Sequence, residues 1–129
     1  IKLAGKRLGP AEVESILVKD PSVAEAAAIG VPHELKGQAL VCFCVLNKGH
    51  KPNETLINNL KTLIAEHLGK PLKPEAVEFI PTLPKTKNGK VMRRVIRATY
   101  LGQPPGDLSS LENPEAIKFL KKNRATLED

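Results

Sequence analysis

Val23 to Leu46 reads VAEAAAIGVPHELKGQALVCFCVL, and its apolar rhythm decides the fold class. Val23 to Val31 is apolar on both alternating sets except at Glu25, which predicts a strand that is largely buried. PHELKGQ is polar and reads as a loop. Ala39 to Leu46 is the longest apolar run of the chain and predicts a second buried strand, central in its sheet. In a strand, Cys42 and Cys44 point to one face and Phe43 to the other. Their spacing does not fit a zinc-ligand pair, and no second pair exists. Reduced core cysteines are expected, which fits a reducing cytosol; the mitochondrial matrix or another organelle stays open.

On the N-terminal side, Ile1 to Leu3 predicts a short strand that turns at Gly5. Pro10 to Asp20 predicts a helix, with Pro10 at its first position and Val13, Ile16 and Leu17 on one face. Asp20-Pro21 stops it. On the C-terminal side, Asn53 caps an amphipathic helix whose stripe is Leu56, Ile57, Leu60, Leu63, Ile64 and Leu68, and Gly69 ends it. KPLKPE reads as extended. Val77 and Phe79 mark a third short strand. Val91 to Tyr100 predicts a helix with Val91, Met92, Val95 and Ile96 inward and Arg93, Arg94 and Arg97 outward. GQPPGD breaks the chain, and Asn113-Pro114 opens a last helix through Lys122. The expectation is an α+β fold: a small three-stranded sheet with helices packed against it, preceded by a short N-terminal strand or hairpin.

The 129 residues suffice for one domain with a modest core. Hydrophobic residues make up 41% and charged residues 26%, the balance of a globular chain rather than a disordered one. No apolar run approaches the ~20 residues of a membrane span, and the opening residues do not read as a signal peptide. Ile1 is not a natural start, so a piece of a longer protein is expected. The net charge of +6 favours anionic partners without choosing among nucleotides, phosphates and nucleic acid. The aromatic residues are Phe43, Phe79, Tyr100 and Phe119, and none lies in the basic segment. Single-strand binders stack bases on aromatic rings, so a basic nucleic-acid-binding module is the weaker alternative.

That basic segment is LPKTKNGKVMRR, Leu83 to Arg94. Asn88-Gly89 signals a tight turn, which places Lys90 just after a bend and just before a helix. A phosphate loop of the Walker A type fails here: Pro84 stands at the earlier glycine position, and Val91 follows the lysine. A solvated charged hairpin is the plain structural reading. The N-terminal IKLAGKRLGPAEVES is a second cluster, in which Lys2, Lys6 and Arg7 surround Gly5. A glycine among cations allows close backbone approach to a ligand, and equally makes a simple turn. His33, His50 and His67 are scattered over loop, turn and helix, and none is assigned to catalysis.

Taken together, IKLAGKRLGPAEVES and LPKTKNGKVMRR resemble the C-terminal domain of the adenylate-forming enzymes, most closely the AMP-forming acetyl- and propionyl-CoA synthetases. The resemblance runs over nearly the whole chain. VAEAAAIGVPHELKGQALVCFCVLNKG is similar to the middle of that domain. GDLSSLENPEAIKFL is similar to a tail that most relatives lack, which makes residues 103–129 an acetyl-CoA-synthetase-like extension of a domain spanning 1–129. The family's hinge would lie just upstream of Ile1.

The resemblance implies a ligase that activates a short-chain carboxylate with ATP and transfers the acyl group to CoA. Mg2+ is expected with the N-terminal domain. The C-terminal domain would be a mobile lid with that domain as its partner. By the family motif, Lys90 would reach the carboxylate and the phosphate oxygens in the first step. In the second, Gly5 would line the pantetheine tunnel and Arg7 would lie near the adenylate phosphate. Lys2 matches a lysine that luciferase-type relatives use there, where acetyl-CoA synthetases tend to carry Asn. The arginine that grips the CoA nucleotide is replaced by Ala65, Glu66 and His67, leaving Lys61 or Lys70 as substitutes. Resemblance also implies reversible acetylation of Lys90 by an acetyltransferase and deacetylase. The alternative within the superfamily is an adenylation domain that loads a carrier protein. An isolated lid would be inactive.

Overall fold

The computed structural model describes residues 1–3 and 5–128; Ala4 of the N-terminal motif and Asp129 of the tail lie outside the described residues. The chain forms two compact units, Ile1–Phe79 and Ile80–Asp129.

The first unit opens with a hairpin of β1 (Lys2–Leu3) and β2 (Lys6–Arg7), followed by helix α1 (Pro10–Leu17). Strands β3 (Val23–His33) and β4 (Gly37–Leu46) lead to α2 (Glu54–Leu68) and β5 (Ala76–Phe79). The sheet order is β3-β4-β5, so β4 is central as its sequence predicts. It pairs antiparallel with β3 and parallel with β5, with Cys42 opposite both Ala28 and Val77. The parallel pair needs a crossover, and α2 supplies it.

The core follows from burial on both faces of β4. Leu40, Cys42 and Cys44 join Ala26, Ala28 and Val77 in one apolar cluster. Val13, Ile16 and Leu17 of α1 and Leu60 and Ile64 of α2 complete it. On the opposite face Val41 and Phe43 are also buried, beside Ala27 and Ile29 of β3. Glu25 interrupts the apolar run of β3 because the register shifts between Val23 and Glu25, a bulge that resets the alternation. β3 is an edge strand, and the Ala28 N–H donates to Glu14 Oε2 at 2.8 Å, so a carboxylate on α1 satisfies part of the edge. Asn53 caps α2 as expected, its Oδ1 accepting the Leu56 N–H at 2.8 Å.

Three expectations in this unit need correction. Helix α1 ends at Leu17, three residues short of Asp20. The polar loop is shorter than PHELKGQ: Pro32 pairs with Gln38 and His33 with Gly37, leaving only residues 34–36 as the loop. Pro32 is tolerated because an edge strand does not need its missing N–H. KPLKPE is not extended throughout, since Lys70–Leu72 winds into a 3-10 turn after Gly69, where Pro71 suits the helical φ.

The second unit contains α3 (Arg93–Tyr100) and α4 (Glu115–Glu128), which pack together with Val95, Ile96, Ala116 and Leu120 fully buried. Helix α3 starts later than its apolar pattern suggests. Val91 is held in a β-bridge with Lys85, and the Met92 N–H donates to the Pro84 carbonyl at 2.9 Å. Those pairings keep both residues out of the helix. Helix α4 runs past Lys122, where the sequence reading ended it. The fold is α+β, with a three-stranded sheet preceded by an N-terminal hairpin, as expected.

Glu78 on β5 is partly buried, and the loss of solvation pushes its carboxyl above the usual range. The unfolded chain therefore releases this proton at lower pH than the folded one, and stability falls as pH rises through that interval. Glu78→Gln is expected to raise the melting temperature at about pH 7, with the gain vanishing below about pH 4, where the carboxyl is protonated in both states. Thermal unfolding followed by circular dichroism at the two pH values checks this.

Candidate functional site

The basic segment folds as a hairpin. The Gly89 N–H donates to the Thr86 carbonyl at 2.9 Å, so the turn spans Thr86 to Gly89 with Lys87 and Asn88 at its centre. Gly89 follows at φ +81°, the left-handed conformation that lets a three-residue loop close. Below the turn, the Thr86 N–H donates to the Lys90 carbonyl at 2.9 Å. The Lys90 N–H donates to Thr86 Oγ1 at 3.2 Å. The backbone of Lys90 is thus held on both sides while its side chain is exposed. Lys87 is exposed at the turn, and Lys85 is partly buried in the arm.

The tail of the chain braces this hairpin, a feature the sequence reading missed. Asn113, expected only to open a helix, accepts the Lys85 N–H at Oδ1 at 2.8 Å. Its Nδ2 donates to the Leu83 carbonyl at 2.7 Å and to Thr82 Oγ1 at 3.1 Å. The Glu112 N–H donates to the Lys85 carbonyl at 2.8 Å, and Leu111 bridges to Thr86. Arg94, expected to face outward from α3, donates from Nη1 to the Pro105 carbonyl and from Nη2 to the Asp107 carbonyl at 2.7 Å. Hydrogen bonds from Ser109 are the main cause holding the Asp107 carboxyl below its ordinary range, with the Arg94 charge a smaller one.

Lys2, Gly5 and Arg7 come together in the N-terminal hairpin. Lys2 stands directly opposite Arg7 in the antiparallel pair, and both are exposed. Cross-strand partners project to one face, so both cations stand on the same side of the hairpin. Gly5 turns the hairpin at φ +80°, and a Cβ there would meet nothing within 4 Å. Within this chain, backbone conformation alone asks for glycine at that position. The hairpin is tied to the sheet where the Lys2 N–H donates to Gln38 Oε1 at 2.7 Å. Lys90 belongs to the second unit and these three residues to the first.

Of Lys61 and Lys70, expected as substitutes for a nucleotide-gripping arginine, Lys70 lines a cleft of about 460 Å³ with Thr62, Ala65, Glu66 and Lys73. Lys61 does not line it. His67 Nδ1 is within 3.0 Å of the Leu63 carbonyl on its own helix. His33 Nδ1 accepts the N–H groups of Leu35 and Lys36 at 3.2 Å, a hairpin-tip role. Among the described residues no group of three His, Cys, Asp or Glu side chains could hold a metal ion. No helix among them is long and apolar enough to cross a membrane.

The acetyl-coenzyme A synthetase of Methanothrix thermoacetophila is 47% identical over 118 residues, which cover 92% of this chain and 18% of that protein. The 3-hydroxypropionyl-coenzyme A synthetase of Sulfurisphaera tokodaii is 44% identical over 122 residues, covering 95% of this chain and 18% of that protein. The chain therefore spans under a fifth of the length of these relatives. The structure of acetoacetyl-CoA synthetase from Streptomyces lividans shares the fold, with a TM-score of 0.80 at 21% identity over 94% of this chain and 18% of that one. The AMP-binding enzyme C-terminal domain family matches residues 12–90, and this chain belongs to it.

Proposed function

We propose that the chain is the mobile C-terminal domain of an AMP-forming acyl-CoA ligase of the acetate type. The exposed side chain of Lys90 on a braced basic hairpin is the observation that supports this best. In the first step a carboxylate oxygen attacks the α-phosphorus of ATP, the bond to pyrophosphate breaks, and acyl-adenylate forms. Two anions meet, and charge builds on the phosphate oxygens. Lys90 offsets that repulsion as a compact cation already in place, which is where such stabilisation is largest. In the second step the CoA sulfur attacks the acyl carbonyl and AMP leaves. Arg7 then offers positive charge to the adenylate phosphate, Lys2 stands on the thioester face, and Gly5 leaves room for the thiol arm.

ATP and CoA are the substrates of this reading. Mg2+ belongs with the ATP phosphates and the N-terminal domain, which is the partner this domain works against. Lys70, with Lys73 beside it, replaces the arginine for the CoA nucleotide. The related acetyl- and 3-hydroxypropionyl-CoA synthetases match this chain at 47% and 44% identity, so the acyl group is chosen elsewhere. Residues 103–129 act as an extension of the same lid, and the full enzyme works in the cytoplasm. Acetylation of Lys90 by an acetyltransferase would remove the charge that the first step needs, and a deacetylase would restore it.

In the full-length protein, Lys90→Ala is expected to slow adenylation about 100-fold or more, as loss of one transition-state donor does. Thioester formation from supplied acyl-adenylate should stay within about twofold on the same ground. ATP–pyrophosphate exchange and thioester release measure the two steps separately, and equal loss in both would overturn the assignment of Lys90. Gly5→Asn tests the second surface, because Asn tolerates the left-handed φ and adds only a side chain. It should slow the thioester step about 10-fold or more and spare adenylation, since one misplaced group near the reacting atoms costs that much. An unimpaired thioester step would remove Gly5 from the CoA path.

A further inference from the structure

A hairpin this small is marginal by itself in water. Lys90 sits on one closed by the Lys85–Val91 bridge, with its Thr86–Lys90 and Met92–Pro84 backbone hydrogen bonds, and by a short turn. For a lysine that must meet a transition state, further support of the arm matters, because a displacement of ~1 Å can cost about 100-fold in rate. The tail supplies what the hairpin lacks. The peptide groups flanking Lys85 are fastened from outside, with its N–H on Asn113 Oδ1 and its carbonyl on the Glu112 N–H, each at 2.8 Å. The Asn113 Nδ2 group then fixes the approach to the hairpin through Leu83 and Thr82. A carboxamide is suited to this, since it presents an acceptor and two donors at once. Arg94 closes the other end by holding the Pro105 and Asp107 carbonyls. Gly106 suits that clasp: it adopts φ +77°, and a Cβ there would lie 3.1 Å from Arg94 Nη1. The family match ends at Lys90, so this brace lies outside the segment that defines the family.

We infer that Asn113 is a positioning residue for Lys90, and that the tail serves the adenylation step by holding the arm on which that lysine is mounted. The inference rests on the assignment of Lys90 to adenylation. Asn113 touches no reacting atom; it acts through the backbone of Lys85, which pairs with Val91 next to Lys90.

The test uses the full-length protein with Lys90→Ala as the reference. Asn113→Ala is expected to lower the turnover rate of ATP–pyrophosphate exchange about 10-fold, a fraction of what a ~1 Å displacement can cost. The KM for ATP should change little, and thioester formation from supplied acyl-adenylate should stay unchanged. Asn113→Asp keeps the acceptor for the Lys85 N–H and should recover part of the rate. It also provides the reading if the alanine variant does not fold. A merely structural role would lower both steps alike and spare neither variant; that result, or adenylation unchanged in both, overturns the inference while leaving Lys90 in place. Undiminished adenylation in Lys90→Ala overturns both the assignment and the inference.

Discussion

Strand β4 is buried on both faces, and its two edges are paired with β3 and β5. Its middle, Ala39 to Cys44, is wholly buried, so the polar contacts of the first unit lie at its margins, Gln38 at the end of β4 among them. One face needs α1 and α2, whose apolar stripes close over Leu40, Cys42 and Cys44. The edge of β3 needs the Glu14 carboxylate from α1. The N-terminal hairpin is fastened at the far end of the sheet by Gln38, where a cationic pair can stand in water without disturbing the core. Rigid centre and functional rim are the usual division of labour between sheets and loops.

The cations of the chain are not equivalent under this arrangement. Arg94 is engaged with backbone carbonyls of the tail, so part of the +6 charge holds structure together instead of attracting a ligand. Lys2 and Arg7 are set opposite each other across the N-terminal hairpin, both exposed. Lys90 is different again, with its backbone pinned and its side chain exposed. Charge alone describes all of these as one anion-attracting surface. Hydrogen bonding and register separate a clasp, a cross-strand pair and a single exposed cation on a pinned backbone.

Apolar periodicity made β3, β4, α1 and α2 legible, since each buries a continuous stripe that a local window reveals. Asn53 and Gly69 were legible for a related reason: caps act within four residues. The misses share the opposite cause. The bridge that removes Val91 and Met92 from α3 depends on partners across the turn. Asn113 reaches Lys85 over 28 residues, a distance at which single-sequence patterns are silent. Asn-Pro is equally good as a helix start, and that local signal concealed the carboxamide's longer-range role. Gly89 was read correctly as a turn residue because positive φ leaves its mark on residue choice directly. Lys90, Lys2, Gly5 and Arg7 were singled out by motif resemblance; geometry adds that three of them share one hairpin and the fourth stands on another.

The central claim is that a positive charge at the position of Lys90 serves the first half-reaction and not the second. Replacing Lys90 by Cys in the full-length protein and alkylating it with 2-bromoethylamine would rebuild a near-isosteric ammonium at that point. Cys42 and Cys44 are fully buried and would not compete; burial pushes both thiols up, that of Cys44 to about 12. With the unsubstituted protein treated in parallel, the cysteine variant should have lost ATP–pyrophosphate exchange and should regain it on alkylation, with thioester formation from acyl-adenylate steady throughout. Exchange that survives the substitution, or that alkylation fails to restore, would contradict the account.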